Sequence, residues 1–186
     1  MELRYGLIGC GMMGQEHIRN IELLDDTQIT VVFEPDSQMR ARAAKALPNA
    51  TMVESLGALL TFEALDCLVI VSPNHCHMQQ LQQIAAQRAL PILCEKPLFT
   101  DPTDLAQATA LAQTYPAPVW VAMEYRYMPP VAALIDQAED VTGGIKMLTI
   151  REHRFPFLPK VGDWNRFNKI LVAHWSKNAA IFLISC

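Results

Sequence analysis

The sequence holds no run of basic residues, no tail of one charge, no internal repeat and no low-complexity segment. With a formal net charge of −4 over 186 residues, nothing in it suits a nucleic-acid backbone, and no nucleic-acid partner is expected. A signal-peptide pattern is missing as well, since Met1-Glu2-Leu3-Arg4 leads directly into a strand pattern. Paired cysteine spacings are absent: Cys10, Cys67, Cys76, Cys94 and Cys186 stand apart, which argues against a disulfide framework and suits a reducing, cytoplasmic setting. Nor is there a stretch of about twenty largely apolar residues, so no membrane partner is expected. What remains is 51% hydrophobic and 18% charged, the composition of a globular chain with one good core and part of a second.

The chain is organised around residues 3–14, L-R-Y-G-L-I-G-C-G-M-M-G. An apolar run at residues 3–8 reads as a buried parallel strand and breaks at Gly9, Gly11 and Gly14. Ile18, Ile21 and Leu24 follow at helical spacing, so a helix starts inside the glycine run. Strand, glycine turn and helix form the context in which G-x-G-x-x-G indicates a dinucleotide site. Gly9 allows the tight turn, Gly11 lets the backbone approach a pyrophosphate, and Gly14 lets helix and strand pack closely. Gly9, Gly11, Met12, Met13 and Gly14 are therefore candidate cofactor contacts at a helix N-terminus that favours phosphate.

A second buried strand is expected at residues 28–33, ending at Glu34, where a dinucleotide fold places the acid that holds the adenosine ribose hydroxyls. An acid there repels a 2′-phosphate and favours NAD, while Arg40 and Arg42 keep NADP open. Residues 37–47 read as a helix, residues 65–72 as a strand covered on both faces, and residues 77–88 as the next helix. His75-Cys76-His77 invites a metal reading, but adjacent loop residues diverge and no second ligand cluster closes a tetrahedral site, so no metal is expected. At the carboxyl end of a central strand these residues line a cofactor instead. Residues 91–94 form a further strand, followed by Glu95-Lys96-Pro97. A lysine beside a nicotinamide could exchange a substrate proton, provided partial burial or a nearby positive charge lowers its pKa.

Taken in order, Gly9-x-Gly11-x-x-Gly14, Ser72-Pro73-Asn74-x-x-His77 and Cys94-Glu95-Lys96-Pro97-Leu98 resemble the Gfo/Idh/MocA family of oxidoreductases. Glu124-Tyr125-Arg126-Tyr127-Met128-Pro129, Arg151-Glu152-His153-Arg154 and Trp164-Asn165-Arg166-Phe167 continue the likeness. The resemblance implies an α/β fold, a Rossmann doubly wound parallel sheet, followed by an α+β second domain with a large open sheet. It implies NAD(P)-dependent oxidation or reduction of a sugar, cyclitol or similar polyol. By that resemblance Lys96 matches the catalytic lysine, Ser72, Pro73, Asn74, His77 and Glu95 match positions beside the cofactor, and Arg126 a position near nicotinamide and substrate. The expected domains are residues 1–122 for the NAD(P)-binding part and 123–169 for an incomplete start of the second. Residues 103–115 and 119–123 are expected as the last Rossmann helix and strand, 131–138 as a linking helix, and Gly143-Gly144 as the opening of a strand at 145–154.

Residues 170–186 depart from the family pattern, which next supplies a Gly-Gly segment and then a histidine completing the catalytic set. One permitted coding of this stretch, read from its third base, gives Thr-Gly-Gly-Thr-Leu-Val-Glu-Lys-Cys-Cys-His. Asn168, Lys169 and Ile170 can be coded by a run of adenines, where one base is easily lost. Residues 170–186 are therefore expected to be an out-of-frame tail on a truncated dehydrogenase. Homo-oligomers are expected of the full-length family and doubtful for this chain. The competing reading is a dinucleotide-binding fragment without catalysis.

Overall fold

A computed structural model describes residues 2–144. They fall into two compact units, residues 2–122 and residues 123–144. In the first unit strands and helices alternate: β1 (Leu3–Ile8), α1 (Met12–Glu22), β2 (Thr27–Phe33), α2 (Ser37–Ala46), β3 (Thr51–Val53) and α3 (Leu56–Leu60). Then come β4 (Cys67–Ile70), α4 (His77–Gln87), β5 (Ile92–Cys94), α5 (Leu105–Thr114) and β6 (Val119–Val121). The strands pair in parallel in the order β3-β2-β1-β4-β5-β6, the doubly wound arrangement expected from the sequence. The chain winds outward from β1 to β3 and returns to β4, so the order reverses between β1 and β4. Ligands of such sheets bind at that reversal, beyond the carboxyl ends of the strands.

Alternation along each strand divides the core in two. Leu7, Val32 and Val69 join Ile18, Ile21 and Ala43 under α1 and α2. Ile8, Val31, Leu68 and Ile70 join Leu56, Leu59, Leu81 and Ile84 under α3 and α4. Burial on both faces is why these strands read as unbroken apolar runs. Side-chain caps set where helices begin: Asp36 accepts hydrogen bonds from the N–H groups of Gln38 and Met39, and Ser55 from that of Ala58.

Several boundaries differ from expectation. β4 is shorter than residues 65–72, because Leu65 and Val71 are buried without extending the strand. β3 and α3 were not anticipated, since three and five residues are too short for a period to emerge. α5 spans fewer residues than 103–115, its approach being a separate 3-10 turn at Pro102–Asp104 capped by Asp101. β6 stops at Val121, short of residue 123.

The second unit holds a 3-10 turn, Glu124–Tyr127, and α6 (Pro129–Thr142). α6 is longer than residues 131–138, because prolines are accommodated in a helix's first turn, where N–H groups have no partner. Gly143 adopts φ 64° and closes α6 as a left-handed cap. The strand expected at 145–154 and the tail at 170–186 lie outside the described residues. Among the described residues no helix is long and apolar enough to cross a membrane, and Cys10, Cys67, Cys76 and Cys94 are free thiols.

Candidate functional site

Three glycines shape the crossing from β1 to α1, each for a different reason. Gly9 has φ 98°, and a Cβ built on it would lie 2.6 Å from the Ser72 nitrogen. A Cβ on Gly14 would lie 2.7 Å from the Gly9 carbonyl oxygen, so helix and turn touch through hydrogen alone. A Cβ on Gly11 meets nothing within 4 Å. Gly11 is also the N-cap of α1, with no side-chain cap and no acidic residue in the first turn. The first-turn N–H groups have no helical partner and carry the positive end of the helix dipole. Met12 and Met13, the first two helical residues, are exposed beside this opening. The turn thus combines tight internal packing with an unfilled, electropositive outer side.

At the end of β2 the Glu34 carboxylate is buried and tied to this turn. Its Oε2 accepts from the Cys10 N–H at 2.6 Å and its Oε1 from the Asp36 N–H at 2.9 Å. Burial, assisted by the Glu34 charge, pushes the Cys10 thiol up to about 12, which leaves it protonated and inert. Arg40 is committed: its Nη1 donates to the carbonyls of Glu34 (2.7 Å) and Pro35 (3.1 Å), and its Nη2 to Glu54 (2.7 Å). Arg42 is exposed on α2.

The loops after β4 and β5 are clamped together by His77, which is 1% exposed. Its Nδ1 lies 2.9 Å from the Pro97 carbonyl oxygen and its Nε2 3.0 Å from that of Ser72. Burial lowers its pKa, although the two carbonyls and the Glu95 charge pull the other way. Both ring nitrogens face backbone, so His77 contributes position to the site. The Ser72 hydroxyl donates to Gln80 (2.6 Å), and Pro73 precedes the 3-10 turn Asn74–Cys76. The Asn74 Oδ1 is buried without a hydrogen-bond partner. Among the described residues no group of His, Cys, Asp or Glu could hold a metal ion.

Glu95, at the end of β5, is 9% exposed, and its Oε1 lies 2.8 Å from the His17 Nε2 on α1. Its Oε2 accepts from the Lys96 N–H at 3.3 Å. Burial opposes its charge, but the His17 bond and the nearby Lys96 outweigh that and hold the carboxyl below the ordinary value. Lys96 itself is exposed, at a cis Lys96–Pro97 bond. The partial burial that its sequence context called for is not met, and the neighbouring charge of Glu95 is negative. Arg126 belongs to the second unit, on its 3-10 turn.

Contacts therefore bring Gly9, Gly14, Glu34, Ser72, His77 and Glu95 to one edge of the sheet, with Asn74 and Lys96 on the same loops. His17 was missed. The available signal was its place beside Ile18 and three residues after Gly14, both buried on α1.

Comparison with known proteins adds an independent line. The family model GFO_IDH_MocA, described as an oxidoreductase family with an NAD-binding Rossmann fold, matches residues 3–123. An inositol 2-dehydrogenase of Leifsonia xyli subsp. xyli is 32% identical over 162 residues, covering 86% of this chain and 47% of that protein. The rhizopine catabolism protein MocA of Rhizobium meliloti is 30% identical over 142 residues, 76% of this chain and 43% of its own. The chain thus spans about half the length of the curated relatives it matches. Among solved structures, a myo-inositol dehydrogenase from Corynebacterium glutamicum superposes with TM-score 0.69 at 27% identity, over 78% of this chain and 43% of that one. A myo-inositol dehydrogenase from Lactobacillus casei in complex with NAD(H) and myo-inositol shares the fold at TM-score 0.71 and 23% identity, over 77% and 43%.

Proposed function

Because the chain belongs to the Gfo/Idh/MocA family of oxidoreductases and carries its NAD-binding Rossmann fold, we propose that it holds NAD across the carboxyl ends of β1, β2, β4 and β5. We further propose hydride transfer between the nicotinamide and a sugar, cyclitol or similar polyol. The observation that carries this reading is the space over Gly11: its neighbours Gly9 and Gly14 are wedged, while Gly11 faces nothing. An electropositive helix start with an open glycine is the shape a pyrophosphate fills. The unpartnered Asn74 Oδ1 on the adjoining loop, an acceptor without a donor, suits a bound ligand as well.

In this reading Gly9, Gly11, Met12, Met13 and Gly14 surround the pyrophosphate. Each Glu34 oxygen uses one lone pair on backbone and keeps another for a ribose hydroxyl. That fixed carboxylate repels a 2′-phosphate, and Arg40 is engaged elsewhere, so NAD is preferred over NADP. Ser72, Pro73, Asn74 and Glu95 bound the nicotinamide end, and His77 holds their loops in register. The bound cofactor supplies the hydride acceptor or donor. Lys96 takes the proton of the substrate hydroxyl as the carbon is oxidised, and returns it in reverse. Arg126 is a further contact for nicotinamide and substrate on the family resemblance. The inositol 2-dehydrogenase relatives support a cyclitol as the substrate class.

The four free thiols support a cytoplasmic location. For the rest of the chain we propose that residues 123–169 begin an α+β second domain and that residues 170–186 are read out of frame. The experiment is a fluorescence titration of the 186-residue chain with NADH and NADPH. NADH binding at least about tenfold tighter is expected from the Glu34 carboxylate; tighter NADPH binding at moderate salt contradicts the assignment.

A further inference from the structure

We propose that His17 is a positioning residue for the nicotinamide end of the site: through its 2.8 Å bond to the Glu95 side chain it fixes the loop that carries Lys96. This role rests on the reading above, in which Glu95 bounds the nicotinamide end. His17 belongs to α1, which follows β1, whereas Glu95 follows β5, and β4 lies between those two strands in the sheet. The bond therefore crosses the carboxyl end of β4. It ties the helix assigned to the pyrophosphate to the loop assigned to the nicotinamide. Both side chains are largely buried, at 16% and 11% exposure, so water competes little for the bond.

The histidine end has a rigid base. Gly14, three residues before His17, and Ile18, next to it, are both buried on α1. A Cβ on Gly14 would already lie 3.4 Å from the Val71 side chain, so α1 is seated against the sheet here. The loop end needs that support. The Glu95 N–H is still tied to the sheet through the Ile70 carbonyl at 2.9 Å, and the Pro97 carbonyl is bonded to His77. Between these two points the Lys96 N–H donates to Glu95 Oε2 at 3.3 Å, a bond that lasts only while the Glu95 side chain keeps its rotamer. His17 holds the other oxygen, Oε1, and so keeps Oε2 over the Lys96 N–H. The alignment is the same whichever of Nε2 and Oε1 holds the proton.

The test compares NADH with ADP-ribose, which keeps the pyrophosphate and both riboses but lacks the ring. Dissociation constants are measured at one pH for the 186-residue chain and its variants, with melting temperatures recorded throughout. His17→Ala is expected to weaken NADH binding by about three- to tenfold and to leave ADP-ribose unchanged. His17→Gln, whose amide nitrogen reaches the place of Nε2, should restore NADH affinity, whereas His17→Asn, one carbon shorter, should not. If His17→Ala does not fold, the Gln and Asn variants carry the comparison. In a Glu95→Ala background the change at His17 should add nothing, as expected of two residues acting through one contact. Unchanged NADH affinity in His17→Ala, equal weakening of both ligands, or a His17→Gln protein no better than His17→Asn would overturn the proposal and leave His17 a part of the helix packing. An unaltered chain that binds neither ligand would overturn the cofactor site itself, and this role with it.

Discussion

At the scale of single residues, the three glycines make opposite demands that substitution separates. Gly9→Ala forces a side chain into φ 98° and within 2.6 Å of the Ser72 backbone, which should cost about 2–4 kcal/mol of stability and lower the melting temperature. A Gly9→Ala protein that melts with the parent would show that the turn relaxes. Asn74 offers a complementary case. Its Oδ1 makes no hydrogen bond, so Asn74→Ala forfeits none at that atom and is expected to change stability by less than about 1 kcal/mol. If a ligand donor fills that position, the same variant should weaken NADH binding by about 1–3 kcal/mol. Unchanged affinity would mean that the orphan oxygen serves no ligand.

Residue-level chemistry is partly legible in the sequence. The glycine spacing and the acid twenty positions on from Gly14 are backbone facts: Gly9 and Gly14 are tightly packed in the turn, and Glu34 accepts from the Cys10 N–H within it. Side-chain direction is not written in spacing. His77 turns both nitrogens to carbonyls, Lys96 stands in solvent, and His17 reaches across to Glu95 from a helix read only for its apolar stripe.

Among elements, the long ones declared themselves through unbroken apolar runs, whereas β3 and α3 had too few residues to show a period. The loops after β4 and β5 owe their mutual placement to His77, and this gives a pH prediction. A histidine whose folded pKa lies below its unfolded value stabilises fully above the unfolded value and loses that contribution as pH falls. Glu95, also lowered, adds loss at still lower pH by the same sign. The melting temperature should therefore decline as pH drops from about 7 to about 5, and His77→Asn should flatten that decline. A melting temperature constant over this range would contradict the clamp. At the opposite end of β1 and β4, Arg4 holds the Asp66 carboxyl down to about 2 through two side-chain bonds, a contribution present above the ordinary carboxylate range and lost only in strong acid.

For the whole molecule, sheet order and family agree, while residues 145–186 lie beyond the described structure. The frame proposal is tested on DNA. One missing base near Lys169 predicts that restoring it yields a longer protein that reduces NAD with a sugar or cyclitol, and Lys96→Ala should lower its rate by about 10²- to 10⁴-fold. A shifted frame that meets a stop codon before its histidine would refute the proposal.

The central claim is that the turn between β1 and α1 receives the cofactor's pyrophosphate, and one pair of titrations tests it most directly. NADH is titrated into the unaltered chain and into Gly11→Val, with melting temperatures recorded for both. Because a Cβ on Gly11 meets nothing within 4 Å, the first side-chain carbon finds room and the variant should stay folded. Its branched side chain occupies the space assigned to the pyrophosphate, so affinity should fall by at least about a hundredfold. Equal NADH affinity in two equally stable proteins would mean that the glycine turn only connects a strand to a helix.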